Sequence, residues 1–499
     1  MSRKENLGDP SGSEPKRNPD KNSPSESVAT NADDLKSMIQ WLLPTDAIFN
    51  DIKLHGNSSW VPRTLVTLVL CWTWAENRYL TDAFTSAFEW CRCIVDGKVL
   101  TTYQGMMNAL MRWTSSFIPL LCKVMHQKME QIGGEFWEVA GWVPIAFDGS
   151  RDTAPRTKSN EDGFCAKNYG KGKTAKHRKK KTKGMRRTKN KKNPPSPPAP
   201  QVWITLMWHI GLRLPWTWRL GASNSSERDH VMKMVEGENF PKNTLFCGDA
   251  GFVGYRLWAQ MINSGYHFLV RVGGNVNLLT EECNCTLESN MTVLSWPQDA
   301  MNSNLPPLRL RLIKVQIGRT WMWLLTSVLD RSKLTVEQTK ELYKKRWGIE
   351  VEFRGLKQTL DKAKLRCHNQ KRVLVELNWS LMGMAIAELF ALKEQLSASP
   401  SESQECAARP CPSKRSLAMT MRALRYCLTH LREQPAATDS LREKLQKSVT
   451  DDYNRTAPKK SRYRPPNPDK QPLGQPKLRQ MTTEESNKLK SFPIKKLVP

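Results

Sequence analysis

The chain of 499 residues is 39% hydrophobic and 25% charged. It is therefore long enough for two or three domains and apolar enough to bury their cores, which excludes a wholly disordered protein. Lys and Arg number 77 against 48 Asp and Glu, a formal net charge of +29. This excess of positive charge favours a polyanionic partner such as DNA, RNA or a phosphorylated surface.

Features of membrane and secreted proteins are not apparent in the sequence. No apolar run reaches the roughly 18 to 20 residues of a membrane helix, and the best candidate, 381–392, contains Glu388. The polar N-terminus lacks the hydrophobic stretch of a secretory signal, so we expect the protein to stay in the compartment where it is made. The cysteines lack zinc-finger spacing, which predicts reduced thiols and no structural zinc.

The N-terminal third divides into two parts. Residues 1–33 are rich in Ser, Pro, Asn and Lys, a composition that predicts a disordered arm. Over 34–135, apolar residues recur at helical spacing, which predicts a helical domain. Such a domain either packs as a simple bundle or also reads DNA through one of its helices, and the spacing leaves both possibilities open.

Two predicted strands end in carboxylates. The apolar run 142–147 leads into Asp148, and the run 244–248 leads into Asp249, which precedes a turn-forming Ala-Gly pair. Between them, two apolar runs flank the turn-like segment GLRLP, which predicts a hairpin, and helical spacing follows it.

The second half of the chain begins with a β-like segment and continues with helices. Residues 266–330 show strand patterns separated by glycine turns, which predicts a β-rich insert. Thr335 and Gln338 have capping-box spacing, and a long helix is predicted from there to about residue 363. A further helix is expected at 373–394. Residues 396–499 are basic and are predicted to be largely disordered apart from a short helix.

A dense basic run lies between the first two predicted strands. Residues 171–192 contain thirteen Lys and Arg and no acid, and the segment 171–200 ends in a proline-rich stretch that cannot continue a helix or strand. A flexible solvated loop is therefore predicted. It either solubilises the protein or binds DNA phosphates without sequence preference. Its candidate DNA contacts are Lys179, Lys180, Lys181, Arg186 and Arg187.

The long predicted helix carries a polar stripe. At about 100° per residue, Tyr343, Arg346, Glu350 and Lys357 fall within roughly 60° of one another. Glu352 points to the other side, which makes it a control carboxylate. Alone, the stripe is explained by a solvated face with an Arg346–Glu350 ion pair. Combined with the two strand-terminal aspartates, it presents three carboxylates from one α/β layer, as two-metal phosphoryl transfer requires.

These residues resemble the DDE transposases of bacterial insertion sequences, specifically the insertion-sequence-four group with its Y-(2)-R-(3)-E-(6)-K signature. The signature matches at Tyr343, Arg346, Glu350 and Lys357, while IAFDGSRD and LFCGDAGFVGY resemble the two upstream acidic blocks. The resemblance implies an α/β, RNase H-like catalytic domain over 136–395. In that fold a β-strand insertion precedes the third acid, and here the domain follows the helical N-terminal domain.

The resemblance also implies a reaction and its site. Asp148, Asp249 and Glu350 would hold two Mg²⁺ or Mn²⁺ ions, which take oxygen ligands. The expected reaction is cleavage at transposon ends followed by strand transfer into target DNA. Arg346, Lys357 and Tyr343 would contact DNA, and Trp296 in the insert would either stabilise an extruded base or belong to the core.

The same resemblance implies the partners and the location. Double-stranded DNA, as terminal repeats and target, is the expected partner, with a homodimer on DNA, no membrane, and a nucleoid-associated cytoplasmic location. Two alternatives stay open at this point. One is a catalytically inactive or repurposed DNA-binding protein of the same fold, and the other is an RNase H-like nuclease that never joins strands.

Overall fold

The computed structural model describes residues 29–54, 58, 60–165, 199–281, 286–318, 320–397, 411–436, 439–450 and 474–492. The basic run 171–192, including Lys179, Lys180, Lys181, Arg186 and Arg187, lies outside the described residues. So does most of the predicted N-terminal arm.

The described N-terminal residues form helices that begin at defined caps. Thr30 caps the first helix in a capping box with Asp33, and Thr102 accepts a hydrogen bond from the backbone of Gly105 at the start of the fourth. Their bounds are α1 (Asn31–Leu42), α2 (Pro62–Trp74), α3 (Leu80–Ile94) and α4 (Tyr103–Gly133).

Within the described part of the chain, ten strands form one mixed sheet in the order β10-β6-β7-β8-β9-β5-β4-β1-β2-β3. The strands are β1 (Val143–Thr153), β2 (Gln201–His209), β3 (Leu214–Gly221), β4 (Thr244–Gly248), β5 (His267–Val272), β6 (Asn277–Thr280), β7 (Asn290–Ser295), β8 (Leu308–Ile317), β9 (Thr320–Thr326) and β10 (Lys477–Gln480).

The strand directions divide the sheet into two parts. The strands β2 and β3 are antiparallel, which confirms the predicted hairpin, and β1 is antiparallel to β2. In contrast, β4 is parallel to β1, and β5 is parallel to β4. The β-rich segment 266–330 does not stand apart from this core. Because β5 pairs with β9 along its free edge, the strands β9, β8, β7 and β6 extend the same sheet.

Further helices cover the sheet and connect its strands. They are α5 (Lys158–Phe164), α6 (Glu227–Gly237), α7 (Tyr255–Asn263), α8 (Gln298–Asn302), α9 (Val336–Lys345), α10 (Gly348–Arg354), α11 (Gln370–Ser397), α12 (Leu417–Thr429), α13 (Leu441–Gln446) and α14 (Thr483–Lys490).

Helix α11 is the central core helix. By length and composition it could cross a membrane, but 89% of its most apolar window is buried inside the protein. The Trp379 indole N–H donates to Thr114 Oγ1 of α4 at 2.9 Å, and the Trp74 indole N–H donates to the carbonyl of Gly383 at 2.8 Å. These contacts join α11 to the N-terminal helices, as in a soluble core.

The prediction of one continuous helix from Thr335 to about residue 363 is wrong. The capping box at Thr335 and Gln338 is confirmed. However, the helix is interrupted between α9 and α10, and α10 is followed by a π-helical turn, Gly355–Thr359. Over this stretch backbone hydrogen bonds span three residues and not four, since the Trp347 N–H donates to the Lys344 carbonyl and the Glu350 N–H donates to the Trp347 carbonyl. Gly348 leaves room there for the Trp208 ring.

The prediction that the C-terminal region is largely disordered is wrong over 474–492. There, β10 adds to the sheet edge in parallel with β6, and α14 follows it. The sequence KLRQ of β10 is short and polar, so no strand pattern marks it. Backbone pairing with an exposed edge is what makes it a strand.

Candidate active site

The strand register brings the first two acids together. The parallel pairing of β1 and β4 runs from Val143 opposite Thr244 to Ala146 opposite Cys247, and the same offset places Asp148 opposite Asp249. Asp148 does not end its strand as predicted, because β1 continues to Thr153 in pairing with β2. Asp249 directly follows the last residue of β4.

Backbone hydrogen bonds orient both aspartates. The Gly149 N–H donates to Asp148 Oδ1 at 2.8 Å, and the Gly251 N–H donates to Asp249 Oδ1 at 2.7 Å. Each carboxylate therefore has one oxygen held by its own loop or strand, and the second oxygen is available for a ligand.

Glu350 on α10 acts on Asp148 through its charge. Burial, together with the negative charges of Asp249 and Glu350, raises the pKa of Asp148 to about 6 despite the Gly149 hydrogen bond and the Arg346 charge. Both negative charges therefore act on Asp148 through space, although Asp249 and Glu350 lie 101 and 202 residues away from it in the sequence.

Arg346 lies beside these acids with unused donors. Its side chain is 4% exposed, its Nη1 lies 4.0 Å from Asp148 Oδ2, and its guanidinium lies 5.3 Å from the centre of the Tyr343 ring. Neither Nε nor Nη1 of Arg346 has a hydrogen-bond partner among the described residues. The simple Arg346–Glu350 ion pair is therefore not what this arginine forms. A buried arginine with free N–H groups suits an oxyanion ligand.

The other two members of the stripe contact the protein itself. Tyr343 is 2% exposed. Lys357 Nζ donates to Ser150 Oγ at 2.6 Å and lies 3.6 Å from Asp152 Oδ1. Because side chains alternate along a strand, Ser150 and Asp152 share the face of β1 that carries Asp148. Lys357 therefore fixes the helical segment to the strand that presents Asp148.

Loss of Lys357 should destabilise the fold through Asp152. The Asp152 side chain is fully buried, and burial raises its pKa to about 6 despite the opposing charge of Lys357. Lys357→Met should lower the free energy of unfolding by about 1–3 kcal/mol, less than for a fully buried pair because Lys357 is partly exposed. Urea unfolding of Lys357→Met, Asp152→Asn and the double variant measures this. The double variant should recover most of the loss, whereas additive losses would contradict the coupling.

Trp296 is corrected by the structure to a core residue. It is 2% exposed, its indole N–H donates to the carbonyl of Leu305 at 2.9 Å, and its ring packs edge-on against Phe492. In this conformation it cannot reach a DNA base. The sequence shows no difference between Trp296 and the exposed Trp321 and Trp347, since aromatic residues are common in both settings.

Glu352 is not a suitable control for Glu350, although its predicted position on the other side of the helix suggested one. It is 6% exposed, and its Oε2 accepts a hydrogen bond from the Trp208 indole N–H at 3.3 Å. Burial and the neighbouring Glu388 carboxyl raise the pKa of Glu352 well above its ordinary value, and Arg415 Nε lies 3.7 Å from Glu388 Oε1. Removing Glu352 would disturb a buried polar network.

The pH dependence of stability should report this network. Because the pKa of Glu352 is raised by folding, its contribution is present below the unfolded value, about 4.3, and is lost as the pH rises through the folded value. Glu352→Gln mimics the protonated form. Its free energy of unfolding should therefore rise relative to wild type between pH 5 and pH 8, as measured by urea titration. A difference that does not change with pH would show that Glu352 is ionised in the folded protein.

A fourth carboxylate, Glu227, was missed by sequence reasoning. It is the first residue of α6, and burial together with the charges of Asp148 and Asp249 raises its pKa to about 7. An acid in the first turn of a helix is ordinarily explained by the helix dipole. In the sequence, the only feature that pointed to Glu227 was its position at the start of the helix that follows the predicted hairpin.

The donor set suits a hard divalent cation by its chemistry. It consists of carboxylates whose mutual repulsion a cation relieves. In the described ranges, no group of three or more His, Cys, Asp or Glu side chains is already arranged around a metal position. These residues therefore suit a divalent cation by their charge and their oxygen donors, and not by a preformed arrangement of ligands.

Comparison with known proteins bears on this site. Residues 212–385 match the family model described as a transposase DDE domain. The match supports a DDE transposase. The matched segment contains Asp249 and the stripe of Tyr343, Arg346, Glu350 and Lys357, and it begins after Asp148.

A solved structure also shows similarity over most of the chain. It is the cryo-EM structure of the piggyBac transposase synaptic complex with hairpin DNA, with 12% identity, coverage of 85% of this chain and 84% of that chain, and a TM-score of 0.32. No curated protein matches the chain.

Proposed function

We propose that the protein is a DDE transposase of the insertion-sequence-four group that cuts DNA at transposon ends and joins the freed 3′-hydroxyl to target DNA. The observation that carries this proposal is the register of β1 and β4, which sets Asp148 opposite Asp249 and beside the buried Arg346. The charge of Glu350 also acts on Asp148, which supports Glu350 as the third acid. The strand order β3-β2-β1-β4-β5, an antiparallel hairpin followed by parallel strands, supports an RNase H-like core.

The acids are assigned to the metal ions of the reaction. Asp148, Asp249 and Glu350 would hold Mg²⁺ or Mn²⁺, with two ions expected for phosphoryl transfer. When bound, such ions supply a Lewis acid that activates the attacking oxygen and stabilises the leaving oxygen. The hydrogen bonds from Gly149 and Gly251 orient the aspartates for this role.

Arg346 is assigned to the phosphate that reacts. Its unpartnered Nε and Nη1 would donate to non-bridging phosphate oxygens, and the Tyr343 ring lies 5.3 Å from the guanidinium. Lys357 acts mainly by holding the helical segment against β1. We therefore assign phosphate binding mainly to Arg346 and to a lesser extent to Lys357.

The partner proposed is double-stranded DNA, supplied as terminal repeats and as target. The net charge of +29 supports a polyanionic partner. We also propose a homodimer that bridges two ends, and a cytoplasmic, nucleoid-associated location.

The function is tested by incubating the purified full chain and Mg²⁺ with the repeats that flank its own gene, labelled at the 3′ end. Cleavage followed by a joined product is the expected result. Cleavage without joining would favour a nuclease of the same fold. Specific binding without cleavage would favour an inactive or repurposed protein.

A further inference from the structure

We propose that Glu227 is a fourth carboxylate of the active centre, which shares the divalent cations with Asp148 and Asp249. This inference rests on the proposed function and adds a ligand to its metal site. It concerns a residue on α6, an element that carries none of the three predicted acids.

The chain directs Glu227 towards both aspartate segments. Its Oε1 fills the space that a side chain on Gly149 would need. On the other side, the position of a Cβ on Gly251 lies 3.0 Å from Asp249 Oδ1 and 4.0 Å from Glu227 Oε2. One oxygen of Glu227 thus borders the strand of Asp148, and the other borders the loop of Asp249.

The close approach of the Glu227 carboxylate explains the glycine at position 149, and its backbone angles do not. Neither Gly149 nor Gly251 is among the described residues with positive φ, so other residue types could adopt both conformations. What Gly149 provides is space for the Glu227 carboxylate. If Glu227 only stabilised the start of α6, a glycine that leaves room for its carboxylate beside two acids would not be expected.

The Glu227 carboxylate has no partner in the described part of the chain. The charges of Arg151 and Arg228 act on Glu227, but among the described residues neither arginine forms an ion pair with it. Arg151 lies 3.9 Å from the centre of the Trp203 ring, and Arg228 Nη1 donates to the carbonyl of Val253 at 2.9 Å. A half-buried, unpaired carboxylate close to two others is unfavourable without a cation.

Helix capping does not account for Glu227. Ser226 caps α6 through the backbone N–H of Asp229, with Ser226 Oγ accepting at 3.3 Å. Asp229 is an exposed acid in the same first turn, so the helix dipole is already matched by a residue that faces solvent. Asp229 is therefore a matched control for the charge of Glu227.

Mn²⁺ titration of the full-length apoprotein, followed by the electron paramagnetic resonance signal of free Mn²⁺, tests this role without activity. Glu227→Gln should weaken Mn²⁺ binding at least about tenfold, the scale for altering a group around a metal. Asp229→Asn should bind as wild type. Glu227→Gln that binds as wild type while Asp148→Asn loses binding would overturn the inference and leave the proposed function intact. Equal Mn²⁺ binding by wild type and Asp148→Asn would overturn the metal site itself.

A second variant keeps the test independent of Glu227→Gln folding. Gly149→Ala places a methyl group where Glu227 Oε1 lies, so it should also weaken Mn²⁺ binding. In the Glu227→Gln background, Gly149→Ala should add no further loss, because the two changes act through the same carboxylate. Full additivity of the two losses would contradict the assignment.

Discussion

Glu350→Gln should abolish DNA strand cleavage while DNA affinity stays at the wild-type level. Glu350 is an exposed residue of α10 whose charge acts on Asp148, and Gln keeps its size but removes the negative charge that a divalent cation needs. The cleavage rate should fall at least about 10²–10³-fold, the effect of removing one preorganised electrostatic group. Nicking of labelled end DNA with Mg²⁺, together with a binding titration in Ca²⁺, measures both quantities.

The matched control for Glu350 is Glu341. It is an exposed acid on α9 whose Oε1 lies 2.6 Å from Lys345 Nζ, and a surface pair of this kind contributes at most about 1 kcal/mol. Glu341→Gln should cleave as wild type. Equal loss in both variants would show that charge on this helical segment, and not a metal ligand, limits the reaction.

Deletion of residues 171–192 should flatten the salt dependence of DNA binding. The segment has thirteen positive charges and no acid, and each phosphate contact contributes about 0.9 to the slope of log affinity against log salt concentration. We expect the slope to fall by several units and the affinity at low salt to fall by orders of magnitude. Fluorescence anisotropy over a salt series measures both.

Deletion of residues 2–28 is the matched control for the basic run. That segment has five Lys and Arg and five Asp and Glu, so it has similar length and no net charge. Its deletion should leave the salt slope unchanged. A slope that is equally unchanged without 171–192 would show that the basic run does not touch the DNA backbone.

The sequence indicated two of the candidate acids, Asp148 and Asp249, because buried apolar runs are local patterns. A buried apolar run leading to Asp148 and another leading to Asp249 mark neighbouring parallel strands, and the register then places the two acids side by side. The hairpin of β2 and β3 was likewise visible as two apolar runs around a turn. Local pattern and tertiary position agree at these residues.

Other features depend on contacts that no local pattern contains. The Trp208 ring packs against Gly348, and the burial of Glu352 follows from Trp208 and Glu388. The helical angle that made Glu352 a control assumed a straight, half-exposed helix. The strand β10 was misjudged for the same reason, since its pairing with β6 is long-range. The role of Trp296 stayed open in the sequence because its packing against Phe492 is long-range too.

The most direct test is anomalous diffraction at the manganese absorption edge from crystals of the full chain bound to its end DNA and Mn²⁺. We predict manganese peaks at about 2.0–2.6 Å from carboxylate oxygens of Asp148, Asp249 and Glu350, the range for hard divalent cations. Manganese bound to the DNA with any one of these three side chains outside that range would contradict the shared site.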